Sequence, residues 1–366
     1  MTIRPLQELD QVRHPSERRG RGAVTNPIST RMPDLQRTRD PERWDEEEPP
    51  TLTTDVTIEQ PKTIITRNQS PDIAFDRSIN AYRGCEHGCI YCFARPTHAY
   101  HGLSPGLDFE TRLFAKPTAA ALLRQELDRR GYTPAPIAMG TNTDPYQPIE
   151  RQYRITRGIL ELLLETRHPA TITTKNHLVT RDADLLSAMA ALDLMVVNVS
   201  VTTLDRALAR AMEPRASTPG RRLEAIRLLA ERGVPVNVFV SPVIPHINDH
   251  EIEAILEAAA GAGATGASSI HLRLPHEVKD LFKAWLAEHR PDRAERVMSH
   301  VRAMRNGREN DPDFGTRMRG TGAYADMMRA RFEAACKRYG LQRDRFALRR
   351  DLFRPPSRAR QGELFG

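Results

Sequence analysis

Three of the chain's four cysteines fall in one short stretch, Arg83-Gly84-Cys85-Glu86-His87-Gly88-Cys89-Ile90-Tyr91-Cys92-Phe93-Ala94-Arg95, spaced C-x3-C-x2-C. Thiols placed this way can form disulfides, ligate zinc or hold an iron–sulfur cluster. Disulfide frameworks use even numbers of cysteines in secreted chains. Here the number is odd, and Met1-Thr2-Ile3-Arg4-Pro5 has no apolar signal segment. Zinc sites usually pair cysteines twice as C-x2-4-C. No second pair is present, although His87, His98 or His101 would complete a Cys3His set. Iron–sulfur clusters usually take four cysteines, so three thiolates on one loop leave one iron open to a small molecule. The cluster is the leading reading and zinc its competitor.

The elements that must position this loop alternate at the interval of βα units. Apolar and β-branched runs predict strands over 78–82, 136–140, 170–174, 194–201, 234–241 and 267–274. Helical spacing predicts helices over 118–130, 154–166, 182–192, 221–232 and 249–262. Such alternation requires parallel pairing with right-handed crossovers, so the fold class is α/β. Reactive groups then gather where the strands end. The second strand ends in Gly140-Thr141-Asn142-Thr143-Asp144-Pro145-Tyr146-Gln147-Pro148-Ile149-Glu150, and the third in Thr173-Thr174-Lys175-Asn176. In the fourth, period two puts Asn198, Ser200 and Thr202 on one face, where buried polar groups need partners. The fifth ends in Ser241-Pro242-Val243-Ile244-Pro245-His246, with His246 a candidate acid or base, and the sixth presents His271 and Arg273 on one face. A basic lumen end suits an anionic substrate.

The cysteine loop resembles that of the radical S-adenosylmethionine (radical SAM) superfamily, and the resemblance covers roughly residues 70 to 275. The string Thr141 to Glu150 resembles the T-x-T-D-P-Y-Q-P-x-E signature of the branch containing spore photoproduct lyase. The segment Glu213-Pro214-Arg215 with Arg221-Arg222-Leu223-Glu224-Ala225-Ile226 resembles that branch's E-P-x…R-L-x-A-I run. The resemblance implies an open six-stranded (β/α)6 partial barrel and two cofactors, a 4Fe–4S cluster and SAM. Cys85, Cys89 and Cys92 would ligate the cluster, and SAM would chelate the open iron through its amino and carboxylate groups. Tyr91 would lie beside the adenine, and Gly140, Thr141, Asn142 and Thr143 would form the turn facing the SAM amino group. Lys175 would pair with the SAM carboxylate, Arg215 would reach that carboxylate or the substrate, and Asn198 and Ser200 would meet the ribose and carboxylate. Val243, with Ile244, would back the adenine. Cleavage of SAM after electron transfer from flavodoxin or ferredoxin would yield a 5′-deoxyadenosyl radical.

The chain has 366 residues, 39% hydrophobic and 28% charged, which describes a globular domain with extensions. Its longest apolar run, 194–201, is too short to span a bilayer, so a cytoplasmic, reducing location is expected. Residues 1–65 read as a flexible charged arm, within which Arg19 to Pro27 can hold phosphates or fold back on the core. Residues 66–275 form the core, 276–350 a helical C-terminal extension and 351–366 a flexible tail. Cys336, on an amphipathic helix, reads as a buried thiol, with hydrogen-atom donation as the alternative. In the tail, Gln361, Leu364 and Phe365 resemble the bacterial sliding-clamp-binding pentapeptide, departing from it at Gly362 and Glu363. A net charge of +7 and a pI near 9.4 permit a polyanionic partner such as DNA. A DNA-repair lyase-like activity is therefore expected. No cysteine lies between Cys92 and Cys336, so the lyase's hydrogen-donating cysteine has no counterpart there. The other readings are radical modification of a peptide or small metabolite, and a non-catalytic zinc or cluster protein that binds nucleic acid.

Overall fold

A computed structural model describes residues 18–32, 52–73, 75–343 and 347–357. The strands are β1 (Asp55–Ile58), β2 (Ile65–Arg67), β3 (Arg77–Ile79), β4 (Tyr82–Arg83), β5 (Arg112–Ala115), β6 (Ile137–Met139), β7 (Ala170–Thr174), β8 (Met195–Ser200), β9 (Val236–Val243) and β10 (Gly266–His271). The main sheet has the order β10-β9-β8-β7-β6-β3-β2, parallel throughout except for the antiparallel edge strand β2. Its six parallel strands are those the apolar runs specify, in chain order. Strands β1, β5 and β4 form a separate small sheet.

Helices make the crossovers. They are α1 (Asp108–Thr111), α2 (Ala119–Leu127), α3 (Glu150–Tyr153), α4 (Ile155–Glu165), α5 (Ala183–Ala190), α6 (Arg206–Met212), α7 (Pro219–Ala230) and α8 (Ile252–Gly261). In α4 the stripe Ile155, Ile159, Leu160, Leu162 and Leu163 is buried while Arg157 and Glu161 pair at the surface, the pattern of a helix lying on a sheet. β8 is covered on both faces, as parallel strands are. Burying side chains such as Ile172, Val197, Leu186 and Ile226 contributes about 1.5–3 kcal/mol each.

Beyond β10 lie α9 (Val278–His289), α10 (Ala294–Ala303) and α11 (Ala323–Tyr339). Trp285 of α9 belongs to the same buried cluster as Ile90, Tyr91, Met212, Ile244 and Leu272, and its Nε1 donates to Ala211 O at 3.0 Å. Cys336 of α11 joins the main core beside α8. The loop between α10 and α11 runs from β10, where the His271 amide donates to Met318 O at 3.0 Å, to the β2–β3 turn, where Gly315 N donates to Asp72 Oδ1 at 2.6 Å. It thus joins the two edges of the open sheet.

Residues 18–32 fold back on the core, one of the two alternatives the sequence leaves open for that stretch, and 55–58 pair as β1. These contacts narrow the flexible arm expected over 1–65. Gln361, Leu364 and Phe365 lie outside the described residues.

Candidate active site

Strands β3 and β4 deliver the chain into the cysteine loop. Gly84 and Gly88 have φ of +70° and +68°, which lets the backbone turn twice within the motif. Cys85 and Cys89 are buried and Cys92 is half-buried, and all three thiols are free. Arg95, fully buried, threads behind the loop. Its Nε donates to Cys89 O at 2.9 Å, Nη2 to Gly88 O at 3.1 Å, and Nη1 to Pro105 O and Gly106 O at 3.0 and 2.9 Å. Its charge is met by Glu110 at 2.5 Å. The same carboxylate accepts the Gly22 and Ala23 amides, each at 2.8 Å, which explains why a polar N-terminal segment docks there. Gly22 lies so close that a Cβ would come within 1.8 Å of Gly88 O.

The Thr141–Glu150 string holds this loop from the other side. Asp144 accepts from Thr174 Oγ1 at 2.7 Å, from the Lys175 amide at 2.7 Å and from the Tyr146 amide at 2.8 Å, and stands 3.3 Å from His87 Nδ1. Burial alone would push its carboxyl up; His87 and these donors outweigh that and hold it below the ordinary carboxylate value. Gln147 accepts the Glu86 amide at 3.0 Å and donates to Gly84 O at 3.2 Å, clamping the motif's backbone. Glu150 accepts from the Tyr82 hydroxyl and, at 2.7 Å, from Arg181. Gly140 (φ +90°) starts a turn whose Asn142 amide donates to Asn80 Oδ1 at 2.9 Å, with Thr141 and Thr143 on the same side chain. Asn80, Arg95, Glu110 and Gln147 were not singled out from sequence; only the length of the Thr141–Glu150 signature hinted at Gln147.

Tyr91, Lys175 and Ser200 come together at the ends of β7 and β8. Lys175 Nζ donates to Ser200 Oγ at 2.5 Å, stands 3.6 Å from Glu213 Oε1 and lies 5.7 Å from the Tyr91 ring centroid. Burial lowers its ammonium to about 8, opposed by the nearby Cys89. Glu213, fully buried, accepts from Tyr91, from Thr202 Oγ1 at 2.7 Å and from Arg222. Asn198 sits deeper, donating to Ile172 O at 3.0 Å and accepting from Asn237 at 3.1 Å. Val243 closes β9 as a buried side chain, with Ile244 next to it in the apolar layer under Tyr91. Arg215 faces Glu86 of the cysteine loop at 2.9 Å. His246 pairs with His300 at 3.2 Å, and His271 is buried beside Arg305.

The family model described as "Radical SAM superfamily" matches residues 79–259, which include all three clustered cysteines. The chain belongs to the radical SAM superfamily. It is 36% identical over 283 residues to an uncharacterized protein of Mycobacterium tuberculosis, covering 76% of this chain and 79% of that one. An uncharacterized protein of Methanocaldococcus jannaschii is 28% identical over 173 residues, 47% of this chain and 62% of that protein. Among solved structures, spore photoproduct lyase complexed with dinucleoside spore photoproduct superposes with a TM-score of 0.58 at 15% identity, covering 78% of this chain and 80% of that one. This likeness shows a shared fold.

Radical SAM enzymes use a 4Fe–4S cluster and SAM, and the donor set here fits them. Burial pushes all three thiols up; Asp144 adds to this at Cys85 and Glu213 at Cys89, whereas Arg95 opposes it at Cys92. Buried thiolates therefore require a cationic partner, which iron supplies. Among the described residues, no three His, Cys, Asp or Glu side chains converge as ligands of one metal ion. A four-iron cluster gives each thiolate its own iron, so its ligands need not converge. His87 is committed at both ring nitrogens, to Asp144 and Asn176, and His98 Nε2 to Arg112 O. His87 is therefore not free to complete a zinc site, whereas His98 keeps a buried Nδ1 without a hydrogen-bond partner.

Proposed function

We propose that the chain binds SAM at a cluster held by Cys85, Cys89 and Cys92 and turns the resulting radical on a nucleic-acid substrate. When bound, the cluster and SAM supply a 5′-deoxyadenosyl radical, the hard chemistry lying in the cofactors. The protein's share is binding, orientation and exclusion of water. Lys175, half-buried and held by Ser200, offers its remaining N–H donors to the SAM carboxylate. Glu213 fixes Tyr91 and Thr202, and the Tyr91 ring, with Val243 and Ile244, would hold the adenine. The Gly140–Thr143 turn, braced by Asn80, would face the amino group, and Ser200 would serve the ribose side, with Asn198 deeper and tied to Ile172 O and Asn237. Arg215 acts on the cysteine loop through Glu86.

The observation that carries this reading is the placement of three free thiols on one buried loop beside the Lys175–Ser200–Tyr91 group. Anaerobic reconstitution with dithionite and SAM is expected to release 5′-deoxyadenosine. Lys175→Met is expected to weaken SAM binding by roughly tenfold, the loss of one charge-assisted contact. No 5′-deoxyadenosine from fully iron-loaded protein would end the proposal.

A nucleic-acid substrate is favoured by the net charge of +7 and by the branch resemblance. Repair that returns hydrogen from a cysteine near the cluster is disfavoured, because Cys336 lies in the core beside α8. Flavodoxin or ferredoxin would supply the electron, consistent with a reducing, cytoplasmic setting. A sliding-clamp contact through Gln361, Leu364 and Phe365 would bring the enzyme to replicating DNA. Equal clamp recovery with the intact chain and with one lacking Leu364 and Phe365 would refute that contact. Among the described residues, no helix is long and apolar enough to cross a membrane.

A further inference from the structure

Arg273, just beyond β10 at the mouth of the sheet, lacks the partner its burial calls for. Arg273 is half-buried, whereas the buried Arg95, Arg222 and Arg305 are met by Glu110, by Glu213 and by the carbonyls of Leu272, Thr316 and Arg317. Arg21 shares an enclosed, unpartnered Nε, but its Nη groups donate to Glu110 O, Leu52 O and Thr54 Oγ1. Arg273 Nε is enclosed without a hydrogen-bond acceptor, and its Nη1 meets only the weak acceptor Met318 Sδ, at 3.6 Å. Among the described residues no carboxylate pairs with it. Asp72 and Asp311 attract it from a distance, but Asp72 is already engaged by Arg317 and by the Gly315 amide at 2.6 Å, and Asp311 accepts the Asp313 amide at 2.9 Å. Leaving a guanidinium desolvated without an anion is costly, which implies that an anion arrives from outside.

The surroundings indicate what carries that anion. The Arg273 guanidinium lies 5.9 Å from the ring centroid of Phe93, the residue after Cys92, and Phe93 is 52% exposed. Across the mouth, the loop bridging the sheet edges carries Phe314, 58% exposed, with Arg317 over its ring at 4.4 Å. Met318, the residue after Arg317, brings its sulfur to 3.6 Å from Arg273 Nη1, so the two aromatic–arginine pairs share one mouth. Exposed aromatic faces accept unstacked bases of any sequence, and the planar fork of arginine matches a phosphate.

We propose that Phe93, Arg273, Phe314 and Arg317 form the landing surface for one nucleotide unit of a nucleic-acid strand. A phosphate pairs with Arg273 and a base stacks on Phe93, next to the loop that holds the cluster. This inference rests on the nucleic-acid reading given above.

The test uses full-length, iron-reconstituted protein and a single-stranded oligodeoxynucleotide containing 2-aminopurine. Anisotropy reports binding and fluorescence quenching reports stacking. Arg273→Gln is expected to weaken binding about tenfold and to lower the salt slope by about one. Phe93→Leu is expected to abolish the quench and weaken binding about tenfold, and Phe93→Tyr to restore both. Arg227→Gln, on the outer face of α7, is expected to leave binding unchanged. Iron content is measured for each variant; if Phe93→Leu loses iron, Arg273→Gln decides. Wild-type binding that neither Arg273→Gln nor Phe93→Leu disturbs overturns the landing surface alone. No binding by the wild type overturns the nucleic-acid reading and this surface with it.

Discussion

Glu110→Gln tests whether one buried charge fastens both the N-terminal segment and the cysteine loop. The carboxylate is closed to solvent. Oε1 accepts from Ala23 N at 2.8 Å and Arg95 Nη2 at 2.5 Å, and Oε2 accepts from Gly22 N at 2.8 Å. Glutamine keeps the shape but turns one oxygen into an N–H donor. With its oxygen on the Arg95 side, the Gly22 amide faces another donor, a loss of about 1–3 kcal/mol. Arg95 also loses its counter-charge. Breaking a buried pair costs about 3–5 kcal/mol, reduced here because Arg95 keeps its four backbone carbonyls. The two losses share one site and are not additive, so a net destabilisation of about 3–5 kcal/mol is expected, a fall in melting temperature of roughly 5–10 °C. The assay is thermal unfolding of anaerobically prepared protein, combined with limited proteolysis and iron analysis. New cleavage within residues 18–32 and reduced iron retention should accompany the lower melting point. A variant within about 1 kcal/mol of wild type, with an unchanged digestion pattern, would refute the reasoning.

Burial holds His98, His168 and His271 each to about 4, against an ordinary value of 6.5. Between those values the unfolded chain takes up protons that the folded chain refuses, so stability is complete above about 6.5 and falls as pH drops toward about 4. Urea unfolding at several pH values in that window checks this, and a flat profile contradicts it. Gly140→Ala must place a Cβ at φ +90°, 2.1 Å from Thr173 O. A loss of about 2–4 kcal/mol is expected, and an unchanged urea midpoint would show that the turn adapts freely. Cys336→Ala is expected to cost about 1 kcal/mol through lost packing while leaving iron content and 5′-deoxyadenosine yield unchanged. A lower yield from stable protein would assign that thiol a chemical role.

The six parallel strands were legible because each is a short apolar run, and β8, Met195–Ser200, shows it most plainly. The cysteine loop and the Asp144–Glu150 string were legible as motifs, yet what the string does was not. Gln147 acts through two hydrogen bonds and Glu150 through its bond from Tyr82 on residues more than sixty positions away in the chain, and no local pattern encodes such partners. That residues 18–32 fold back was left as one alternative for the same reason: the docking depends on Glu110, 87 residues beyond Ala23, rather than on apolar periodicity. β4, two residues long, carries too little pattern to stand out. Lys175 and Ser200 were placed correctly at strand ends, but the buried Glu213 that orders their neighbours needed three dimensions.

The most direct test of the central claim is electron paramagnetic resonance of dithionite-reduced protein titrated with SAM. The account predicts a cluster signal whose shape changes as SAM is added, and its disappearance, with loss of iron, when Cys85, Cys89 and Cys92 are all replaced by alanine. A signal indifferent to SAM, or iron retained by the triple variant, would contradict it.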